Sequence, residues 1–358
     1  MQVTKTVQET RALIKNWKKE GKTIGLVPTM GFLHEGHASL IKRCREENDI
    51  VVVSDFVNPT QFGPTEDLEA YPRDFKRDSE LCESLGADVI FHPEPTDMYH
   101  DPHAFVSIDT LSDTLCGKTR PIHFKGVCTV VSKLFNIVAP DRAYFGQKDA
   151  QQLAIIRKMV QDLNFDIQIV GCPIIREEDG LAKSSRNTYL SEKERTAALC
   201  LSRAVKAGQD TICKGIKAEE VLAKMRAIIE AEPLAKIDYV SMVDALDMQP
   251  VESVEKDVLV AMAVYIGKTR LIDNFSSLMV IDDFGLMDLD IEKCRDLFEI
   301  IESRDCRKAT IIISQIPVSG WYQLFGDSTY ADACLSRMTS KAYRLEFPGR
   351  DRRITNSN

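Results

Sequence analysis

The sequence predicts an α/β protein: a doubly wound parallel sheet, a smaller α+β second domain, and an appended third segment. Three observations point there. Residues 50–53 read Ile-Val-Val-Val, a β-branched run that suits a strand buried on both faces. Apolar runs alternate with helical stretches through the first half, the β-α-β rhythm of a parallel sheet. The segments richest in His, Lys, Gln and Gly each follow such a run, and ligands of such sheets bind at the carboxyl ends of the strands.

The elements follow in order. Residues 23–28 form a short apolar run ending in a turn. Residues 37–47 read as a helix with Leu40 and Ile41 on its apolar side. Residues 49–56 form the β-branched strand, 75–85 a helix and 87–91 the next strand. Residues 132–138, 143–145, 151–163 and 166–170 continue the alternation. Residues 191–232 are helical and rich in Ala and Leu. Residues 237–243, 258–265 and 270–272 read as strands of the second domain. Past Asn274 the character changes again: a strand over 278–281, a helix over 290–303, a strand over 309–314 and a helix over 331–341. Residues 349–358 read as a frayed end.

Composition narrows the function. A chain of 358 residues suggests two or three domains. With 44% hydrophobic and 7% aromatic residues it has ample core material, so wholesale disorder is excluded. A net charge of −8 argues against a general nucleic-acid binder, whose phosphate-tracking face needs excess Lys and Arg. No apolar run approaches the roughly 20 residues needed to span a bilayer. Residues 1–22 are polar and of mixed charge, unlike a signal peptide. A cytoplasmic protein is expected. The ten cysteines are scattered and none forms a C-x-x-C pair, so reduced core thiols are expected and a structural zinc site is disfavoured.

Four segments carry chemistry. Residues 28–37 read P-T-M-G-F-L-H-E-G-H. His34 and His37 are three apart at a helix start, where unpaired N–H groups and a partial positive charge suit polyphosphate. Their rings can donate hydrogen bonds to charge developing on phosphorus, and Gly36 permits close backbone approach. Residues 56–62 read F-V-N-P-T-Q-F; Asn58 and Gln61 offer neutral amides for a small polar substrate. Residues 145–149 read F-G-Q-K-D, with Gln152 one turn on. Lys148 is a mobile point charge suited to phosphate, and Asp149 suits a ribose hydroxyl. Residues 176–187 concentrate Lys183, Ser184, Ser185 and Arg186 beside an acidic stretch, a loop able to clamp a triphosphate and release pyrophosphate.

Together, in this order, these segments closely resemble the pantoate–β-alanine ligase family. The matching stretches are P-T-M-G-x-L-H-x-G-H, F-V-N-P-x-Q-F, Y-P-R-D at 71–74, H-F-x-G-V-x-T-V-V at 123–131, F-G-Q-K-D-x-Q-Q and G-L-A-K-S-S-R-N. The likeness runs to R-L-I-D-N at 270–274. That family belongs to the Rossmann-like nucleotidylyltransferases with HIGH and KMSKS-like signatures, here residues 34–37 and 183–186. The resemblance implies a two-step ligation through pantoyl adenylate, with ATP as substrate and Mg²⁺ bridging its phosphates. It implies that His34, His37, Lys148, Ser184, Ser185 and Arg186 hold phosphates. Gly146 and Asp149 would meet the ribose, and Ile175 and Lys183 would flank the adenine. Gln61 and Gln152 would bind pantoate against an apolar wall of Met30 and Phe62. Asp78, with Arg77 beside it, aligns with a metal-anchoring acidic pair. The implied domains are 1–177 for ATP and pantoate and 178–275 for lid and dimerisation, giving a homodimer. Removal of everything after Asn274 is then expected to leave activity intact.

Residues 276–358 fall outside that likeness. Residues 278–285 form an apolar strand ending in Asp282 and Asp283, a Walker B-like pattern, and residues 311–315, Ile-Ile-Ile-Ser-Gln, resemble the next strand with a polar sensor at its tip. Arg337 sits where an arginine finger could. The segment resembles the C-terminal half of the ATP-binding helper proteins of insertion-sequence transposition. Its P-loop partner is missing: 21–23 and 267–269 read Gly-Lys-Thr, but Asn16 and Met262 occupy the required upstream glycine. A fusion carrying half an ATPase is expected. The alternatives are a DNA-transposition helper working through this tail, or a related adenylyltransferase with another acceptor.

Overall fold

In the computed structural model the described residues are all but 65, 277–278, 282–283, 286–288, 305–309, 313, 315, 341 and 343–358. The chain divides into two compact units, residues 1–277 and 278–358.

The first unit is built on six parallel strands: β1 (Gln2–Thr4), β2 (Ile24–Thr29), β3 (Ile50–Asp55), β4 (Val89–Phe91), β5 (Arg142–Gly146) and β6 (Gln168–Cys172). Their spatial order is β1-β4-β3-β2-β5-β6. From β2 the chain moves to β3 on one side, and from β5 to β6 on the other. The topological switch therefore lies between β2 and β5, where a crevice opens at their carboxyl ends.

The connecting helices are α1 (Val7–Lys19), α2 (Glu35–Glu47), α3 (Phe75–Ser84), the short α4 (Pro95–Met98) and α5 (Leu115–Thr119), α6 (His123–Val138) and α7 (Ala150–Asp162). Strand alternation splits the core in two. Ile50 and Val52 face one cluster with Leu134, Phe135 and Ile156 from α6 and α7. Val51 and Val53 face the other, with Ile41 and Cys82 from α2 and α3. This is the two-sided burial that the β-branched run predicts.

Three elements differ from the sequence expectation. The first 22 residues hold β1 and α1, neither of which is among the expected elements. β1 has only three residues, and α1 buries just Thr10 and Ile14, so neither shows an apolar run; the readable signal of the helix is its Thr6–Glu9 capping box. Helix α6 begins at His123, nine residues before the predicted 132. Its first turns hold Gly126 and several Val, weak helix formers. Thirteen of its 16 residues are buried, and packing overrides propensity.

Helices α8 (Glu192–Ala197), α9 (Leu199–Thr211) and α10 (Ala218–Glu230) then cover an antiparallel sheet of β7 (Ala235–Asp244), β8 (Val258–Ile266) and β9 (Thr269–Ser276). Their own core joins Leu201, Val205 and Met225 to Val260, Met262 and Phe275.

The second unit has two parallel strands, β10 (Met279–Ile281) and β11 (Thr310–Ile312), with helices α11 (Ile291–Arg304) and α12 (Ser328–Thr339). Phe284, Cys294, Trp321, Phe325 and Cys334 form its core. Trp321 Nε1 donates to Ile316 O at 2.9 Å. Arg337, the expected finger, pairs with Glu302 and donates to Ala333 O. Asp282, Asp283, Ile313 and Gln315 lie outside the described residues. No described helix is long and apolar enough to cross a membrane.

Candidate active site

The site is built on the turn after β2. Gly31 (φ +78°) and Phe32 (φ +51°) both take left-handed conformations there. The turn is braced by Asp78 of α3, which accepts from Phe32 N at 2.6 Å and Leu33 N at 2.7 Å. Burial raises the Asp78 carboxyl above the usual range, and these amides oppose that. Asp78, expected as a metal anchor, thus braces this turn, each oxygen accepting one main-chain N–H, and it does not line the crevice. Among the described residues no group of three or more His, Cys, Asp or Glu is placed to hold a metal.

The turn delivers His34 as the N-cap of α2 and His37 inside its first turn. Gly36 N donates to His34 Nδ1 at 3.1 Å, and His34 N donates to His37 Nδ1 at 3.3 Å. Each Nδ1 is therefore an acceptor, so the neutral rings carry their protons on Nε2. The rings lie 4.2 Å apart. Burial, reinforced by Lys148, pushes His34 down to about 4. Burial, then His34, holds His37 well below its ordinary value. Both are neutral donors at pH 7. A side chain on Gly36 would strike the His34 ring at 2.7 Å.

A cavity of 230 Å³ opens beside them. It is lined by Met30, His34 and His37 from the β2 turn, and by Asn58, Gln61 and Phe62 after β3. Gly146, Lys148, Asp149 and Gln152 follow β5; Ile175 and the Lys183–Arg186 segment follow β6. Of the residues expected from sequence, Asp78 alone stands apart. A second cavity of 910 Å³ shares Lys148, Asp149, Gln152, Ser184 and Arg186 with the first.

Several side chains have tasks the sequence did not disclose. Asn58 is buried, and its amide is already engaged. Nδ2 donates to Gln61 Oε1 and to Gly126 O, both at 3.2 Å, and Oδ1 accepts from Tyr99 OH at 2.8 Å. It orients Gln61, whose Nε2 lies 2.9 Å from Met30 Sδ. His123 belongs to a sequence motif that suggests no role for it, yet it lines the cavity and sits on Gln61 O through Nδ1 at 3.0 Å. A carbonyl only accepts, so Nδ1 carries the proton; burial, then Arg120, pushes this ring down to about 4. Arg186 makes a two-pronged pair with Asp67 at 2.9 and 3.0 Å, so its guanidinium meets a carboxylate before any phosphate. Arg120 holds Glu66 in the same way. Lys183 Nζ lies 3.2 Å from Glu35 Oε2, linking the two signature segments.

Residues 268–358 match the family model of IstB-like ATP binding protein. The pantothenate synthetase of Ruminiclostridium cellulolyticum is 61% identical over 280 residues, covering 77% of this chain and 99% of that relative. That of Clostridium acetobutylicum is 59% identical with the same coverage. The crystal structure of pantothenate synthetase from Thermus thermophilus has a TM-score of 0.73 at 42% identity, covering 77% of this chain and 99% of that one. The Francisella tularensis pantoate-beta-alanine ligase complexed with beta-gamma ATP and beta-alanine has a TM-score of 0.65 at 35% identity, covering 77% and 97%. Residues 2–276 match the model of pantoate-beta-alanine ligase, and the chain belongs to that family.

Proposed function

We propose that the chain condenses pantoate with β-alanine using ATP, releasing AMP and pyrophosphate. The observation that carries this is the convergence of the sequence-predicted nucleotide and pantoate positions on one cavity at the switch point of the sheet.

In this reading a pantoate carboxylate oxygen attacks the α-phosphorus. The new O–P bond forms as the bridging bond to pyrophosphate breaks, giving an acyl adenylate. The β-alanine amine then attacks the acyl carbon; a C–N bond forms, AMP leaves, and the amine loses a proton. No covalent enzyme intermediate is required, so positioning and charge neutralisation do the work. The Nε2–H groups of His34 and His37 donate to phosphate oxygens. Lys148 and Arg186 neutralise the phosphates, and Ser184 and Ser185 donate hydrogen bonds to them. Gly146 and Asp149 meet the ribose, Ile175 and Lys183 flank the adenine, and Gln61 and Gln152 hold pantoate beside Met30 and Phe62. Asn58 acts through Gln61. Among the described residues the acidic side chains form no group suited to holding Mg²⁺, which would enter with ATP and help neutralise its phosphates.

The reading includes a homodimeric cytoplasmic enzyme with a nucleotide-binding part at 1–177 and a smaller part at 178–275. Incubation with ATP, Mg²⁺, D-pantoate and β-alanine tests it, with AMP and pantothenate as the expected products. Release of ADP and inorganic phosphate would exclude attack at the α-phosphorus.

A further inference from the structure

Strand β9 carries Asp273 and Asn274 side by side, 1% and 6% exposed. Successive strand residues project to opposite faces, and these two reach different loops. Asn274 Nδ2 donates to Lys148 O at 2.7 Å and to Gln147 O at 3.2 Å. Asp273 accepts a two-pronged pair from Arg176 at 2.7 and 2.8 Å. Arg176 Nη1 also donates to Gly180 O at 3.0 Å, and Arg176 bridges Ala182 across the loop leading into Lys183. Asp273 Oδ1 accepts from Asn274 N at 2.8 Å, which fixes the dipeptide itself.

The two loops held here carry the site's cations, Lys148 on one and the Lys183–Arg186 segment on the other. They leave different strands of the parallel sheet, yet both are tied to one point on the antiparallel sheet. We propose that Asp273 and Asn274 are positioning residues that set the spacing of Lys148 against the Lys183–Arg186 segment. The inference rests on the ligase reading above. Lys148 sits in a single 3₁₀ turn, Gln147–Asp149. Its flexible stem reaches a phosphate only as accurately as its backbone is held. One amide nitrogen with two hydrogens serves two successive carbonyls, which a carboxylate cannot do.

The test uses the full chain and pantoate-dependent exchange of pyrophosphate into ATP. Asn274→Ala and Asn274→Asp are made alone and combined with Lys148→Ala. Each single Asn274 variant is expected to lose about tenfold or more in exchange rate. In the Lys148→Ala background the further loss is expected to be under about twofold, because the residue acted upon is gone. Near-wild-type exchange in both single variants overturns the proposal, and so do losses that simply multiply with Lys148→Ala. If both Asn274 variants fail to fold while Lys148→Ala folds, Asn274 is a folding element and the assignment falls. Absence of exchange in the wild-type chain is a different result: it overturns the ligase reading itself.

Discussion

The two histidines of the β2 turn are fixed as donors by their own backbone. With each Nδ1 occupied by a main-chain N–H, the free edge of each ring is an Nε2–H. His34→Ala or His37→Ala should cut the adenylation rate by roughly 10²–10³, the size of losing one preorganised transition-state donor. Turnover near wild type in both variants would reassign the pair to structure. Three histidines of the cavity share one electrostatic condition: burial holds His34 and His123 at about 4 and His37 well below its ordinary value. Unfolded, each titrates near 6.5. As pH falls from about 6.5 toward 4, the unfolded chain binds protons that the native chain refuses, so unfolding is favoured. The histidine contribution is thus complete above about 6.5 and is lost on the way down to 4. Urea midpoints at pH 7.5 and 5 should fall accordingly, and His123→Gln should remove about one proton from the slope. An unchanged slope in that variant would contradict the burial argument.

Between elements, α6 comes close to the short 3₁₀ helix Pro59–Gln61. A Cβ on Gly126 would meet the Gln61 backbone N and Cα at 2.6 Å. Gly126→Val should therefore push the segment carrying Gln61 and raise the KM for pantoate more than that for ATP; steady-state kinetics with each substrate varied reads the difference. A rise confined to ATP would break the link between α6 and the pantoate side. This contact also shows where sequence reading ends. His34 and Lys148 are legible because their chemistry follows a strand within a few residues, and Arg186 because it closes a Lys-Ser-Ser-Arg run. The Gln61–His123 bond joins residues 62 apart, and nothing in either segment announces the other. Spacing suggests a substrate amide at Asn58, but it cannot show that the fold already uses its donors and acceptors. Asp78 suggests a metal anchor for the same reason: its partners Phe32 N and Leu33 N become visible only once the turn is built. The sheet is legible because a β-branched run buried on both faces leaves few alternatives, whereas the edge strand β1 carries no apolar signal.

For the whole molecule, the ligase unit runs slightly past Asn274, where the recognisable sequence motifs end. Strand β9 runs to Ser276, and Phe275 is 5% exposed in the core shared with Met225. A cut after Asn274 removes that ring, and burying a Phe is worth about 1.5–3 kcal/mol. The expected outcome is therefore refined: truncation after residue 277 should keep full ligase turnover, while truncation after 274 should melt at lower temperature. Loss of turnover in the folded longer truncation would tie residues 278–358 to catalysis. Those residues match an ATP-binding protein family, yet the chain has no G-x-x-x-x-G-K-[ST] cradle for phosphate. The isolated segment should accordingly show no tight ATP binding by calorimetry.

The chain has two tryptophans, and they fall one to each unit. Trp17 packs on the first unit's core, and Trp321 is buried in the second. Each unit thus carries its own intrinsic fluorophore. Trp17→Phe leaves emission that reports on residues 278–358 alone, and Trp321→Phe leaves emission from the ligase unit. Urea titration of the two variants should give two separate transitions, the Trp321 signal red-shifting first, because a segment of about 80 residues buries less of its surface than a larger unit. Coincident curves would mean that the two units unfold as one cooperative body.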